Sequence, residues 1–241
     1  LISLNYSTIH DFYTYSYDML GEAAVTEADA QRYFEAYQHA IEVLKDAHDT
    51  RPLLQRPGIS IKLSALHARY TWDQRDRCVP VLVERLTQLV QLAQASRVSL
   101  TLDAEEANRL VLSLDILEQL FAQPDIAGWG GLGLAVQAYQ KSAVAVIEGC
   151  IALARQYKTQ MPIRLVKGAY WDSEIKDAQV HGIDFAVFTR KISTDVSYLA
   201  CVRLLFEAKD AVFPQFATHN AHTVASILQM AQGRPFEFQC L

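Results

Sequence analysis

Apolar residues in this chain gather into seven short runs, and each run delivers a polar residue at or near its C-terminal end. Phe12 to Leu20 is followed by Glu22, Ile59 to Ile61 by Lys62, and Val98 to Leu102 by Asp103. Leu132 to Val136 leads to Gln137, and Ile163 to Val166 carries Arg164 within it and Lys167 after it. Val212 to Ala217 precedes His219 and Asn220, and Phe236 to Leu241 contains Gln239. Short apolar runs with polar boundaries predict buried strands. The stretches between them have helical period. Glu27 to Ala47 follows Thr26-Glu-Ala-Asp29, which resembles a capping box. Gln74 to Ala95 spaces Val79, Leu82, Val83, Leu86, Leu89 and Val90 three and four apart, and Glu106 to Ala122 stops ahead of Pro124. Ser142 to Tyr157, Asp195 to Ala208 and Ala221 to Ala231 repeat the pattern. The longest gap, Val166 to Val212, predicts an extra helix or lid near Asp172 to Gln179.

Strand and helix thus alternate throughout, which predicts an α/β fold of parallel strands joined by crossover helices. Polar residues at so many strand ends favour a TIM-like barrel, whose active site gathers at the C-terminal rim. An open doubly wound sheet is the structural alternative.

With 241 residues, 51% hydrophobic and 20% charged, the chain suits one large α/β domain, taken here as residues 1–241. A formal net charge of −5 and the absence of a basic block argue against a nucleic-acid binder. Cys78, Cys150, Cys201 and Cys240 form no CxxC pair, so reduced and mostly buried thiols in a cytoplasmic setting are expected. No run approaches the ~18 apolar residues of a membrane span. The chain opens on Leu1 without a signal peptide, and the missing initiator Met suggests a piece of a longer protein.

Two apparent motifs carry little. Gly128-Trp-Gly130-Gly-Leu-Gly133 matches G-x-G-x-x-G, but these glycines precede a strand rather than joining strand to helix, so they read as a turn. His219 and His222 stand three apart without further ligands at metal spacing, so no metal is expected. Asp103 ends an apolar run and should face the rim, whereas Glu105 and Glu106 are equally well read as compensating a helix dipole. The strongest local signal is Ile163-Arg-Leu-Val-Lys-Gly-Ala-Tyr-Trp171. Its cations suit phosphate or carboxylate oxygens, Gly168 permits close backbone approach, and Tyr170 and Trp171 offer ring surfaces. An arginine buried mid-strand also demands a polar partner.

At these residues the chain resembles a known family. Ile59-Ser-Ile-Lys-Leu-Ser-Ala-Leu-His-Ala-Arg-Tyr70, Leu102-Asp-Ala-Glu-Glu106 and Gln137-Ala-Tyr-Gln-Lys141 are similar to proline dehydrogenases. So are the segment from Ile163 to Lys176, Thr189-Arg-Lys191, Phe216-Ala-Thr-His-Asn-Ala-His222 and Phe236-Glu-Phe-Gln-Cys-Leu241. The likeness is greatest to those in the bifunctional proline utilization A flavoenzymes. It implies a distorted (βα)8 barrel holding FAD and oxidising L-proline to Δ1-pyrroline-5-carboxylate. Hydride would pass from the carbon beside nitrogen to flavin N5, and electrons would go on to a membrane quinone. It further implies a cytoplasmic protein, peripheral to the inner membrane, with an aldehyde dehydrogenase domain fused elsewhere in the parent chain.

By position, the resemblance implies that Arg164 lies near flavin N5 and Gln137 at the ring edge. Val166, Lys167, Gly168, Ala169 and Trp171 would line the cofactor. Thr189, Arg190, Lys191, Thr218, His219 and Asn220 would hold its ribityl, pyrophosphate and adenosine parts, while Gln239, Cys240 and Leu241 close the other side. Lys62 would neutralise the substrate carboxylate, Asp103, Leu165 and Tyr170 would form the proline pocket, and Glu22 would gate it. Family members continue into an eighth strand and a final helix with two adjacent arginines, which this sequence lacks after Leu241. Two other readings remain: a Schiff-base lyase using Lys62 or Lys167 on the same barrel, and a fragment that binds FAD without turnover.

Overall fold

The structure, a computed structural model, describes residues 13–19, 21, 23–46 and 49–240. Among these residues seven parallel strands lie in one sheet in chain order. They are β1 (Ser16–Asp18), β2 (Gly58–Ile61), β3 (Ser99–Leu102), β4 (Leu132–Gln137), β5 (Met161–Val166), β6 (Val212–Ala217) and β7 (Glu237–Gln239). Among the described residues seven α-helices accompany them: α1 (Glu27–Leu44), α2 (Arg75–Ser96), α3 (Leu110–Phe121), α4 (Ala143–Gln156), α5 (Trp171–His181), α6 (Lys191–Glu207) and α7 (Ala221–Ala231). The expected strand and helix alternation is present, including the extra helix after β5.

The local signals act as the sequence suggests. Thr26 and Asp29 form a reciprocal capping box on α1, which satisfies donors left open at a helix start. Gly128, in the left-handed region, belongs to the turn leading into β4. Gly133 serves packing: a Cβ there would sit 2.5 Å from the Pro162 carbonyl oxygen on the next strand.

One contact fixes the curvature of the sheet. Arg164 on β5 donates to Ser60 on β2 and to Ser16 on β1, each at 2.8 Å, with β3 and β4 intervening in the strand order. The sheet must therefore curl until these strands face one another. Side chains alternate along a strand, so Arg164 identifies the concave face. Thr101, Gly133, Ala135, Gln137, Gln215, Ala217, Glu237 and Gln239 follow by register. The convex face is apolar: Ile59, Ile61, Leu100, Leu102, Leu134, Ile163, Leu165 and Phe216 join Leu86, Leu117, Ile147 and Val202 of the helices in one core. Most barrels fill their interior with bulky branched side chains. This one lines it with small and polar groups.

Candidate functional site

Four charged groups meet: Asp18, Lys62 and Asp103 at the C-terminal ends of β1, β2 and β3, and Arg164 from within β5. Lys62 Nζ donates to Asp18 Oδ1 at 2.7 Å and to Asp103 Oδ2 at 3.1 Å. The other oxygen of Asp103 accepts from Arg164 Nη1 at 2.9 Å. The side chains of Lys62, Asp103 and Arg164 are only 14%, 15% and 12% exposed, whereas that of Asp18 is 57% exposed. Burial alone pulls the Lys62 ammonium down, but its bond to Asp18 and the charge of Asp103 outweigh this and hold it above the ordinary lysine value. The expected polar partner of a mid-strand arginine is thus Asp103, assisted by two serine hydroxyls.

A second layer ties the rim together. Glu105 is buried; its carboxylate accepts from the Ser64 backbone N–H at 3.0 Å and pairs with Arg109 at 3.0 Å. Burial raises its pKa despite these partners. The Glu105 carbonyl accepts from Gln137 Nε2 at 2.8 Å, and Gln137 Oε1 accepts from the Ala169 backbone at 3.3 Å. β3, β4 and the turn after β5 are thereby linked through Gln137. In that turn Gly168 has φ 140°, and a Cβ on it would lie 2.5 Å from the Tyr139 ring. Helix-dipole compensation is therefore not the role of Glu105: α3 begins only at Leu110, after a 3₁₀ turn over Ala107–Arg109.

The remaining expected residues fall into several groups. Val166 ends β5 and Lys167 follows it; Lys167 shares Asp195 with Lys191, each Nζ at 2.6 Å from a separate carboxylate oxygen. Their two positive charges lower the Asp195 pKa. Thr189 and Arg190 are exposed just before α6. Trp171 is exposed, and its Nε1 donates to the Phe188 carbonyl at 2.9 Å; Tyr170 is half-buried at the start of α5. Thr218, His219 and Asn220 form the β6 to α7 turn, where Asn220 Oδ1 caps α7 through the Thr223 N–H. Gln239 Nε2 donates to Glu237 at 2.7 Å, and Cys240 is exposed while the other three cysteines are buried.

Leu165 differs from expectation. It is fully buried and sits on the convex face, where its carbonyl accepts from the Tyr198 hydroxyl of α6. Strand alternation turns it away from Arg164, so this arrangement does not place it in a proline pocket. Glu22 and Leu241, expected at the gate and beside the cofactor, lie outside the described residues.

Several interior groups were missed in the sequence: Ser16, Asp18, Ser60, Gln215 and Glu237. Each stands within or at the end of a strand at alternate spacing, and that period-two polarity was the signal available. Among the described residues no three potential metal ligands cluster, and no helix is long and apolar enough to cross a membrane.

Arg164 Nε and Gln215 Oε1 are buried without a hydrogen-bond partner. They belong to directly paired residues of β5 and β6. Buried polar atoms are rarely left unpartnered, so this donor and this acceptor fit a polar group held against the concave face.

Comparison with known proteins agrees with this architecture. The proline dehydrogenase family model matches residues 6–241. The bifunctional protein PutA of Escherichia coli is 52% identical over 234 residues, covering 95% of this chain. Hydroxyproline dehydrogenase of Bos taurus is 27% identical over 190 residues, covering 71% of this chain and 41% of its own length. A crystal structure of Bradyrhizobium japonicum PutA superposes with a TM-score of 0.91 at 54% identity, over 94% of this chain and 24% of that one. The PutA of Bdellovibrio bacteriovorus inactivated by N-propargylglycine gives the same TM-score at 28% identity, over 98% of this chain and 26% of that one. The chain spans 18% of the length of the E. coli protein. On this family match and these identities, the chain belongs to the proline dehydrogenase family.

Proposed function

We propose that this chain is the proline-oxidising domain of a PutA-type protein, with FAD as cofactor, L-proline as substrate and Δ1-pyrroline-5-carboxylate as product. The observation that carries the reading is the Lys62–Asp103–Arg164 network with its unpartnered Arg164 Nε. FAD supplies the hydride acceptor when bound. Lys62 binds the substrate carboxylate through a charge-assisted bond. Asp103 accepts from both cations and so fixes the distance between the carboxylate site and Arg164. Arg164 presents Nε to the interior as a donor to the cofactor, with its other nitrogens held by Ser16, Ser60 and Asp103. Fixed donors of this kind cost no reorganisation when charge develops. Gln137, Lys167, Gly168, Ala169, Trp171, Thr189, Arg190, Lys191, Thr218, His219, Asn220, Gln239 and Cys240 are assigned to the cofactor's surroundings.

The surroundings of the lysines argue against a Schiff-base lyase. An imine-forming lysine needs a lowered pKa, whereas Lys62 is raised and Lys167 is held by Asp195 at 2.6 Å. Electrons pass on to a membrane quinone, and the protein is assigned to the cytoplasm, peripheral to that membrane. The likeness to bifunctional PutA proteins supports a fused aldehyde dehydrogenase domain in the parent chain. The test is direct: the purified protein should be yellow, release FAD on denaturation, and reduce a soluble quinone only when L-proline is added. A colourless protein that forms a borohydride-trapped lysine adduct with its substrate overturns the reading.

A further inference from the structure

Lys62 is already engaged before any ligand arrives. Its ammonium lies between two carboxylates, Asp18 at 2.7 Å and Asp103 at 3.1 Å. A substrate carboxylate arriving there would be the third anion around one ammonium, with Arg164 as the second cation of the cluster. Like charges packed together disfavour that state, so one of the resident carboxylates must leave. The two are not equivalent. Asp103 is held on its other oxygen by Arg164 and is 15% exposed. Asp18 has Lys62 as its ion-pair partner and is 57% exposed, so water can take over its hydration on release.

We propose that Asp18 is a built-in competitor for Lys62: its carboxylate stands in for that of an amino-acid substrate and is displaced when substrate binds. The inference rests on Lys62 being the carboxylate's partner, as argued above. Its consequence is that Asp18 weakens substrate affinity while keeping the buried lysine neutralised in the empty site. Selection among ligands follows: only a ligand with a carboxylate can offer Lys62 an equal exchange, so a proline amide gains nothing.

Calorimetric titration of the FAD-loaded protein with cyclopentanecarboxylate, which carries the acid but cannot be oxidised at an amine, tests this without turnover. Asp18→Asn, which keeps the shape and removes the charge, should tighten binding about two- to fivefold, the scale of one half-exposed ion pair. Asp18→Ser should do the same and guards against a folding defect in the first variant. Unchanged or weaker binding in both folded variants overturns the proposal. Lys62→Met serves as the reference: it should abolish binding of the acid. If binding survives Lys62→Met, the assignment of Lys62 itself fails and the competitor with it. If Lys62→Met abolishes binding but neither Asp18 variant tightens it, only the competitor is refuted.

Discussion

Replacing Arg164 by Met isolates what the central cation contributes. The substitution removes three side-chain hydrogen bonds of 2.8–2.9 Å, to Ser16, Ser60 and Asp103. Asp103 keeps Lys62, so it is not left as an uncompensated buried charge, and the full ~3–5 kcal/mol of a broken buried pair does not apply. One charge-assisted bond is worth about 1.5–3 kcal/mol and each hydroxyl bond about 0.5–1.5 kcal/mol. Removing the guanidinium also relieves an unpartnered Nε and the desolvation of a cation, which offsets part of this. A net loss of about 1–3 kcal/mol is expected for the flavin-free protein, read by urea denaturation at neutral pH. Arg164→Lys should restore part of the stability through Asp103, because the charge returns. It should not restore flavin reduction, because lysine cannot hold Asp103, both serines and an interior acceptor together. Anaerobic stopped-flow reduction by proline separates the two effects. The reasoning is refuted if Arg164→Met loses less than about 0.5 kcal/mol and its reduction rate stays within about twofold, or ~0.4 kcal/mol, of wild type.

Further outcomes follow from other contacts. Lys62→Met should raise the KM for proline about 10- to 150-fold, the equivalent of ~1.5–3 kcal/mol, with FAD content per protein unchanged in the absorption spectrum. Gly168→Ala should cost about 1–3 kcal/mol through its positive φ, with a further penalty from the Tyr139 ring, and should lower FAD occupancy measured on the same samples. Glu105 is raised from the ordinary 4.5 by burial, so the folded state holds its proton to higher pH than the unfolded chain. Its contribution to stability is present below the unfolded value and falls as pH rises through the raised folded value. Denaturation curves between about pH 4 and 7 should show wild type losing stability relative to Glu105→Gln as pH increases; a constant difference contradicts the assignment.

Much of this arrangement was legible in the sequence, for a physical reason. Strands of a parallel sheet covered by helices read as apolar runs, and a rim site must draw side chains from just beyond them, so Lys62, Asp103, Gln137 and Lys167 stood out. Arg164 was conspicuous because a buried guanidinium requires partners. The identity of those partners was hidden, since Ser16 and Ser60 lie far from residue 164 in the chain and meet it only because the sheet curls. Asp18 was hidden for a related reason: a run judged by its overall apolarity conceals the alternation within it. The role of Glu105 stayed open because an acidic residue before a helix has a local explanation, and one of its partners, the Ser64 backbone, comes from another strand's loop. Leu165 shows the opposite limit: adjacency to Arg164 in sequence places it on the opposite face of β5.

The most direct test of the central claim is an anaerobic single-turnover titration of the FAD-loaded protein with L-proline, following oxidised flavin absorbance and the product together. The account predicts that each equivalent of flavin bleached is matched by one equivalent of Δ1-pyrroline-5-carboxylate, with bleaching strongly slowed in Arg164→Met. A flavin spectrum that proline leaves unchanged, in protein shown to bind proline, would contradict it.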